Sequence, residues 1–282
     1  MKLKYKIKIL ALRIKILSTN LVNQKLAAAK AFEIFCTPFL SKAYPINLFT
    51  TQPVIEDIAF ENNFIKTYRF NINAPKQLLI AHGFNSAAYK FDHIIQKFIK
   101  AGYSITAFDA PAHGNSGGNM LQTEIYKNAI QAIENKLGSF DLYLGHSMGG
   151  LALCIYQSEV KKLTSNQLIL IAPASNTQQI ITDFAKRLKL SRQILKNIFD
   201  YIQNFSGKDI DSFHIKNNLP NDDCSILWIH DYNDKITPIT DILAIQKQNP
   251  KNIEFYLTKH LGHNKIYRDE KVMQKILNFT KS

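Results

Sequence analysis

From Gln77 onward, short runs of consecutive apolar residues alternate with longer stretches in which apolar residues recur every three or four positions. The short runs are Leu78 to Ala81, Tyr103 to Phe108, Leu142 to Leu144, Leu168 to Ile171, Ser225 to Ile229 and Ile253 to Leu257. Runs of this length without polar alternation read as strands buried on both faces. Helices are expected over Phe91 to Lys100, Leu121 to Leu137 and Glu270 to Phe279, with another opening at Thr237-Pro238. Proline suits a first helical position because its missing N–H has no intrahelical partner to lose. Strands and helices alternating at this spacing predict a mostly parallel sheet with helices on both faces, an α/β fold. Two earlier strands, Val54 to Phe60 and Ile65 to Phe70, precede the alternation, with Asn62-Asn63 as their turn.

Two segments fall outside this rhythm. Between Ala174 and Pro220 no strand-like run occurs. Ile180, Ile181, Phe184 and Leu188 share one helical face, and Ile194, Leu195, Ile198, Phe199 and Ile202 share another. A short helical cap inserted at about 174–220 is expected, over the sheet edge. Ile198 and Phe199 are its candidate substrate-contacting residues, because two such stripes over a sheet edge would roof an apolar slot. Lys186, Arg187, Lys189, Arg192 and Lys196 fall on the opposite faces. At the other end of the chain, Leu3, Ile7, Leu10, Ile14, Leu17 and Leu21 recur at four- and three-residue steps, so Met1 to Lys30 reads as an amphipathic helix. Charges interrupt every window long enough to span a bilayer. Arg13 and Lys15 split any signal-peptide core. This helix either packs across the rest of the protein or lies on a membrane surface; a disordered arm is the third reading. The expected division is a basic arm over 1–50 and one domain over 51–282.

Charge sharpens that division. The net charge is +13, but Lys2, Lys4, Lys6, Lys8, Arg13, Lys15, Lys25 and Lys30 all precede the first acid, Glu33. Without them 27 basic and 22 acidic residues remain. The basic character belongs in part to the arm, and no nucleic-acid-binding signature accompanies it. Cys36, Cys154 and Cys224 are isolated and odd in number, which argues for a reducing, cytoplasmic setting rather than a disulfide framework.

The candidate chemistry centres on Gly145-His146-Ser147-Met148-Gly149, with a strand before it and a helix-compatible run after it. A sharp strand-to-helix turn of this kind exposes the serine hydroxyl at the carboxyl edge of a sheet. Serine needs a base, and the base needs an orienting group. His263 follows the last strand, directly after Gly262, and Asp234 follows the strand ending at Ile229. His260 and Asp231 compete for these two roles. The order Ser147, Asp234, His263 is the one expected when such a turn carries the nucleophile. The Met148 N–H and the Phe84 N–H, in the His82-Gly83-Phe84 turn, are the candidate oxyanion donors. His82 and Asp109 read as loop-holding residues. No phosphate-loop motif or recognised metal-ligand spacing occurs, so no metal or organic cofactor is expected.

His82-Gly83-Phe84, Asp109 through Gly118, Gly145 through Gly150, His230 through Pro238 and Gly262-His263 together resemble the α/β-hydrolase superfamily. They are closest to its branch of monoacylglycerol lipases, small esterases and serine aminopeptidases. The resemblance covers the chain from about Gln77 onward, apart from the insertion, whose position is where that family places its cap. Ala112 departs from it, standing where the family usually has glycine. The resemblance implies the fold and a hydrolytic mechanism on small-molecule esters. It leaves thioesterase, peptidase and acyltransferase activity open, as well as a non-catalytic binding protein on the same fold.

Overall fold

A computed structural model describes residues 3–39, 42–159 and 167–281. Its residues fall into two compact units, one made of Pro38–Ser175 and Asn218–Ser282, the other of Met1–Thr37 and Asn176–Asn217.

The first unit is built on strands β1 (Val54–Phe60), β2 (Asn63–Phe70), β3 (Lys76–Ala81), β4 (Tyr103–Phe108), β5 (Leu142–His146), β6 (Gln167–Ile171), β7 (Ser225–Asp231) and β8 (Ile253–Thr258). They form one sheet in the order β1-β2-β4-β3-β5-β6-β7-β8. β2 is antiparallel to both its neighbours, and every pair from β4 through β8 is parallel. The apolar runs explain this arrangement, since every residue of β4 and β5 is buried. Leu78, Ile80, Ile105 and Leu144 share a buried cluster with Ile94 and Phe98, and with Met273 and Ile276. On the other side Phe108 meets Tyr126 edge to face at 5.8 Å.

The chain runs from β3 outward to β4, then returns to place β5 on the opposite side of β3. The carboxyl ends of β3 and β5 therefore diverge into loops leaving in opposite directions, and a crevice opens between them. Ala81 pairs with Gly145 at that point, so His82-Gly83-Phe84 and Ser147-Met148 emerge side by side.

Boundaries shift from the sequence expectation where capping decides them. The first turn uses Glu61 and Asn62, because Phe60 pairs with Asn63 and Glu61 takes φ +51°. The helix expected at Thr237-Pro238 begins at Thr240, because Thr237 is occupied by bonds to Asp234.

The second unit contains helices α1 (Leu3–Val22), α2 (Gln24–Cys36), α6 (Thr177–Arg187) and α7 (Arg192–Ser206); α3 (Asp92–Lys100), α4 (Thr123–Leu137) and α5 (Met148–Glu159) precede α6 in the chain within the sheet unit. The expected N-terminal helix is broken once, at Asn23, whose side chain accepts from Leu26 N–H and so starts α2. Met1 and Lys2 lie outside the described residues, as do the side chains of residues 3–6 and 8. α2 lies against both α1 and α7. Phe35 meets Phe184 at 5.3 Å and Phe32 meets Tyr201 at 5.8 Å. The two apolar stripes of α6 and α7 are turned inward: Ile181, Leu188, Ile194, Ile198 and Ile202 are buried, and the five cations on the opposite faces are exposed. α1 leaves most of its predicted apolar stripe uncovered. Ile16 is its fully buried residue, whereas Ile7, Leu10, Ile14 and Leu21 are each more than half exposed.

Three further helices, α8 (Thr240–Gln246), α9 (Gly262–Lys265) and α10 (Glu270–Phe279), complete the sheet unit. Among the described residues no helix is long and apolar enough to cross a membrane.

Candidate active site

β5 ends at His146 and α5 begins at Met148, leaving Ser147 alone at the turn with φ +53°. A non-glycine residue in this left-handed region is strained by about 1–2 kcal/mol, and the surroundings hold it there. Ser147 N–H donates to Ile171 at 3.1 Å, and its carbonyl accepts from Leu151 and Ala174. The flanking glycines are dictated by contact. A Cβ on Gly145 would meet the Gly150 backbone, and one on Gly149 would run into the carbonyls of Ala81 and His82.

The turn after β3 comes up against the same serine. A Cβ on Gly83 would lie 2.9 Å from Ser147 Cβ and 2.8 Å from His146 Nδ1. Asn85 N–H donates to His113 Nε2 at 3.0 Å, and Ser86 N–H donates to the Gly83 carbonyl at 3.2 Å. Among the described residues Phe84 N–H takes no part in the bonds of this turn, and Met148, opening α5, has no intrahelical acceptor for its own.

Asp234 and His263 are joined directly. His263 Nδ1–H donates to Asp234 Oδ2 at 2.7 Å, and the carboxylate is buried. Asp234 Oδ1 accepts from the Ile236 and Thr237 amides at 2.8 and 2.9 Å, and Oδ2 accepts the Thr237 hydroxyl at 2.9 Å. Burial opposes ionisation of this carboxyl, but the bonds from His263 and the two amides outweigh it and hold the pKa at about 2. The two competing residues are bonded differently. Asp231 accepts from Asn233 N–H, the Thr258 hydroxyl and Leu261 N–H, so it ties the loop leading to His263 without touching the imidazole. His260 is exposed, at φ +68°.

His263 stands in the first turn of α9 rather than in an open loop. Its carbonyl lies 3.0 Å from His146 Nε2, and the two rings are 4.7 Å apart. His146 immediately precedes Ser147, so the histidine loop and the serine turn are pinned together. Ser147, Asp234, His263, Phe84 and Met148 all belong to the sheet unit. Ile198 and Phe199 belong to the helical unit, the first buried and the second half-buried.

Sequence reasoning left three residues without their roles. His146 is the free position of the Gly-x-Ser-x-Gly pattern. Thr237 appeared only as the opening of a helix. His230, buried at the end of β7, has Nε2 2.7 Å from the Thr237 carbonyl and so fixes the residue that fixes Asp234. Only the backward fold of the 231–237 loop reveals these roles. His82 and Asp109 hold loops, as expected. His82 Nε2 accepts Ala110 N–H at 2.9 Å while its Nδ1 lies 2.8 Å from the Gly83 carbonyl. Asp109 accepts from Tyr44, Tyr68, Ala88 and Asn115. Ala112 has φ +63°, the conformation in which glycine carries no steric penalty, which accounts for glycine's usual place there. Among the described residues no cluster of three or more His, Cys, Asp or Glu residues is placed to hold a metal.

A family model described as Serine aminopeptidase, S33 matches residues 73–225. The chain belongs to this family. The S33 match spans β3 through the start of β7, including the serine turn. A Mycoplasma pneumoniae protein named Putative esterase/lipase 2 is 29% identical over 135 residues, 46% of this chain and 50% of that protein. A Mycolicibacterium smegmatis monoacylglycerol lipase is 28% identical over 107 residues, 35% of this chain and 38% of that one. The chain spans about half the length, or less, of the curated relatives it matches. A solved Pyrococcus furiosus esterase superposes with a TM-score of 0.63 at 19% identity, covering 87% of this chain and 97% of its own. A Butyrivibrio proteoclasticus esterase, Est1E, superposes with a TM-score of 0.63 at 19% identity, covering 80% and 97%. These superpositions establish the α/β-hydrolase fold.

Proposed function

We propose that this S33-family chain is a serine hydrolase that cleaves carboxylic esters through an acyl-enzyme on Ser147. The observation that carries the reading is the 2.7 Å bond from His263 Nδ1 to a buried, ionised Asp234, at the sheet edge where Ser147 sits in a strained turn. With Nδ1 bound to the carboxylate, the imidazole presents Nε2 as its basic nitrogen. Ser147 Oγ attacks the ester carbonyl as Nε2 takes its proton. The Phe84 and Met148 amides hold the oxyanion, which otherwise has to form against bulk water. Collapse expels the alcohol, which receives the proton from His263. Water then attacks the acyl carbonyl, His263 again takes and returns a proton, and the acid leaves. Asp234 stays ionised throughout and stabilises the imidazolium. Charge balances at each step only when the substrate is counted, the oxyanion's negative charge offsetting the imidazolium, and water is the only co-reactant.

Esters are favoured over peptides because the curated relatives bear esterase, lipase and phospholipase names. The test is a fluorophosphonate label together with a panel of p-nitrophenyl esters. The wild-type protein should be labelled at Ser147 and hydrolyse the esters, and Ser147→Ala should lose both while keeping its melting temperature. Unlabelled wild type, or Ser147→Ala with near-normal turnover, overturns the mechanism and leaves a binding protein or another nucleophile. Labelling with turnover of aminoacyl amides but not esters moves the chain to the peptidase side of the same chemistry.

A further inference from the structure

α1 presents to solvent the apolar face that helical periodicity would otherwise assign to a core. Ile7, Leu10, Ile14 and Leu21 are 58%, 52%, 57% and 88% exposed. At 100° per residue these four fall within a sector of about 60°. The helix already buries its opposite side, where Ile16 is wholly enclosed, so the exposed stripe is not left over from a missing partner for the whole helix. Large apolar side chains exposed singly are ordinary, but a continuous stripe of them on one helix marks a surface that something covers.

The charge around the stripe says what that is. Eight cations and no anion occur before Glu33. On a helical projection Arg13 falls to one side of the stripe and Lys15 to the other, and Lys15 is exposed. Long basic side chains flanking an apolar stripe can lay their stems along it and lift their charges into a layer of phosphates. A second copy of this chain would bring the same positive charge against itself, whereas an anionic lipid surface complements it. We infer that α1 is an interfacial helix that seats this protein on anionic membranes, with Ile7, Leu10, Ile14 and Leu21 in the acyl boundary and the surrounding cations among the headgroups.

The inference does not depend on the hydrolase reading, and vesicles of ether-linked lipid, which an esterase cannot cleave, keep the two apart. Full-length protein is sedimented with ether-linked phosphatidylcholine vesicles, with or without about a third ether-linked phosphatidylglycerol, at low salt and at about 0.5 M salt. Binding to the anionic vesicles is expected, and it should fall when the anionic lipid is withheld or salt is raised. The double variant Leu10→Glu/Ile14→Glu should partition about tenfold less or weaker still, because two apolar contacts are lost and two repelling charges gained. Both side chains are exposed, so its melting temperature and ester turnover should match wild type. Absence of binding to anionic vesicles overturns the inference, as does equal binding by the double variant. Light scattering that shows a wild-type dimer dissolved by the same two substitutions would also overturn it, assigning the stripe to self-association.

Discussion

Asp231 ends β7 and Asp234 follows three residues later, and their bonds predict opposite consequences for Asp234→Asn and Asp231→Asn. In Asp234→Asn the amide oxygen can take the Oδ1 place and keep the Ile236 and Thr237 bonds, so the loop retains its shape. The amide nitrogen then occupies the Oδ2 place, 2.7 Å from His263 Nδ1. It can only donate, so the imidazole must offer Nδ1 as an acceptor and carry its proton on Nε2. That nitrogen can no longer take the proton of Ser147. Loss of the working tautomer in such triads is worth about 10⁴ in kcat, or about 5.5 kcal/mol of transition-state stabilisation. Stability should fall by about 1.5–3 kcal/mol, the scale of one charge-assisted bond, with the Thr237 hydroxyl turning to accept from the new amide in place of donating to Oδ2. In Asp231→Asn the amide faces Leu261 N–H and the Thr258 hydroxyl, and the donor–donor clash with Leu261 should cost about 1–3 kcal/mol of stability. The imidazole keeps its partner, so kcat should fall less than about tenfold. The assay is kcat on a p-nitrophenyl ester beside urea midpoints for both variants. If Asp234→Asn stays within tenfold of wild type, or if Asp231→Asn is the variant that loses activity, the bonding pattern does not describe the working enzyme.

Three other outcomes follow from the same geometry. Ala112→Gly should be neutral or stabilise by up to about 1 kcal/mol, because it relieves the φ +63° strain against glycine's larger unfolded-state entropy, whereas Ala112→Val should destabilise; urea midpoints that rank Val above Gly would contradict the strained conformation. Burial depresses His82 to about 4 and His113 and His146 to about 3, so all three are neutral in the folded state. The unfolded chain takes up their protons below about pH 6.5, so stability should decline as pH falls, with a slope approaching about 4 kcal/mol per pH unit near pH 5. The Asp234 contribution is present above about pH 4 and is lost only as pH falls toward 2, so equal unfolding midpoints at pH 7 and pH 5 would show that these histidines are not held neutral. Phe199→Ala tests the sequence-based expectation for that residue: a flattened rise in activity from acetyl to medium-chain esters with unchanged acetyl turnover would support substrate contact, and an unaltered chain-length profile would refute it. Ile198→Ala is the poorer probe of that role, because its burial predicts a loss of about 2–4 kcal/mol of stability from the cavity alone.

Much of this protein could be read from the chain because its signals are local. A run of apolar residues such as Tyr103 to Phe108 has few alternatives to a strand buried on both faces, and Gly145 and Gly149 are required by backbone contacts a few residues away. Ser147 and His263 stand out as candidates for the same reason, since each follows a strand at the one sheet edge where parallel strands end together. The choice of Asp234 over Asp231 rested on position alone; the bonds that distinguish them join residues 27 to 30 positions apart. His146, Thr237 and His230 acquire roles only when β5, β7 and the loop before α9 converge. The N-terminal stripe went furthest beyond the sequence. Periodicity specifies that Ile7, Leu10, Ile14 and Leu21 share a face, but it carries no information on whether protein or solvent meets that face. Burial of Ile16 on the opposite side decided the matter, because a helix of this length can turn only one side to α2, and the partner's position is a property of the fold rather than of the segment.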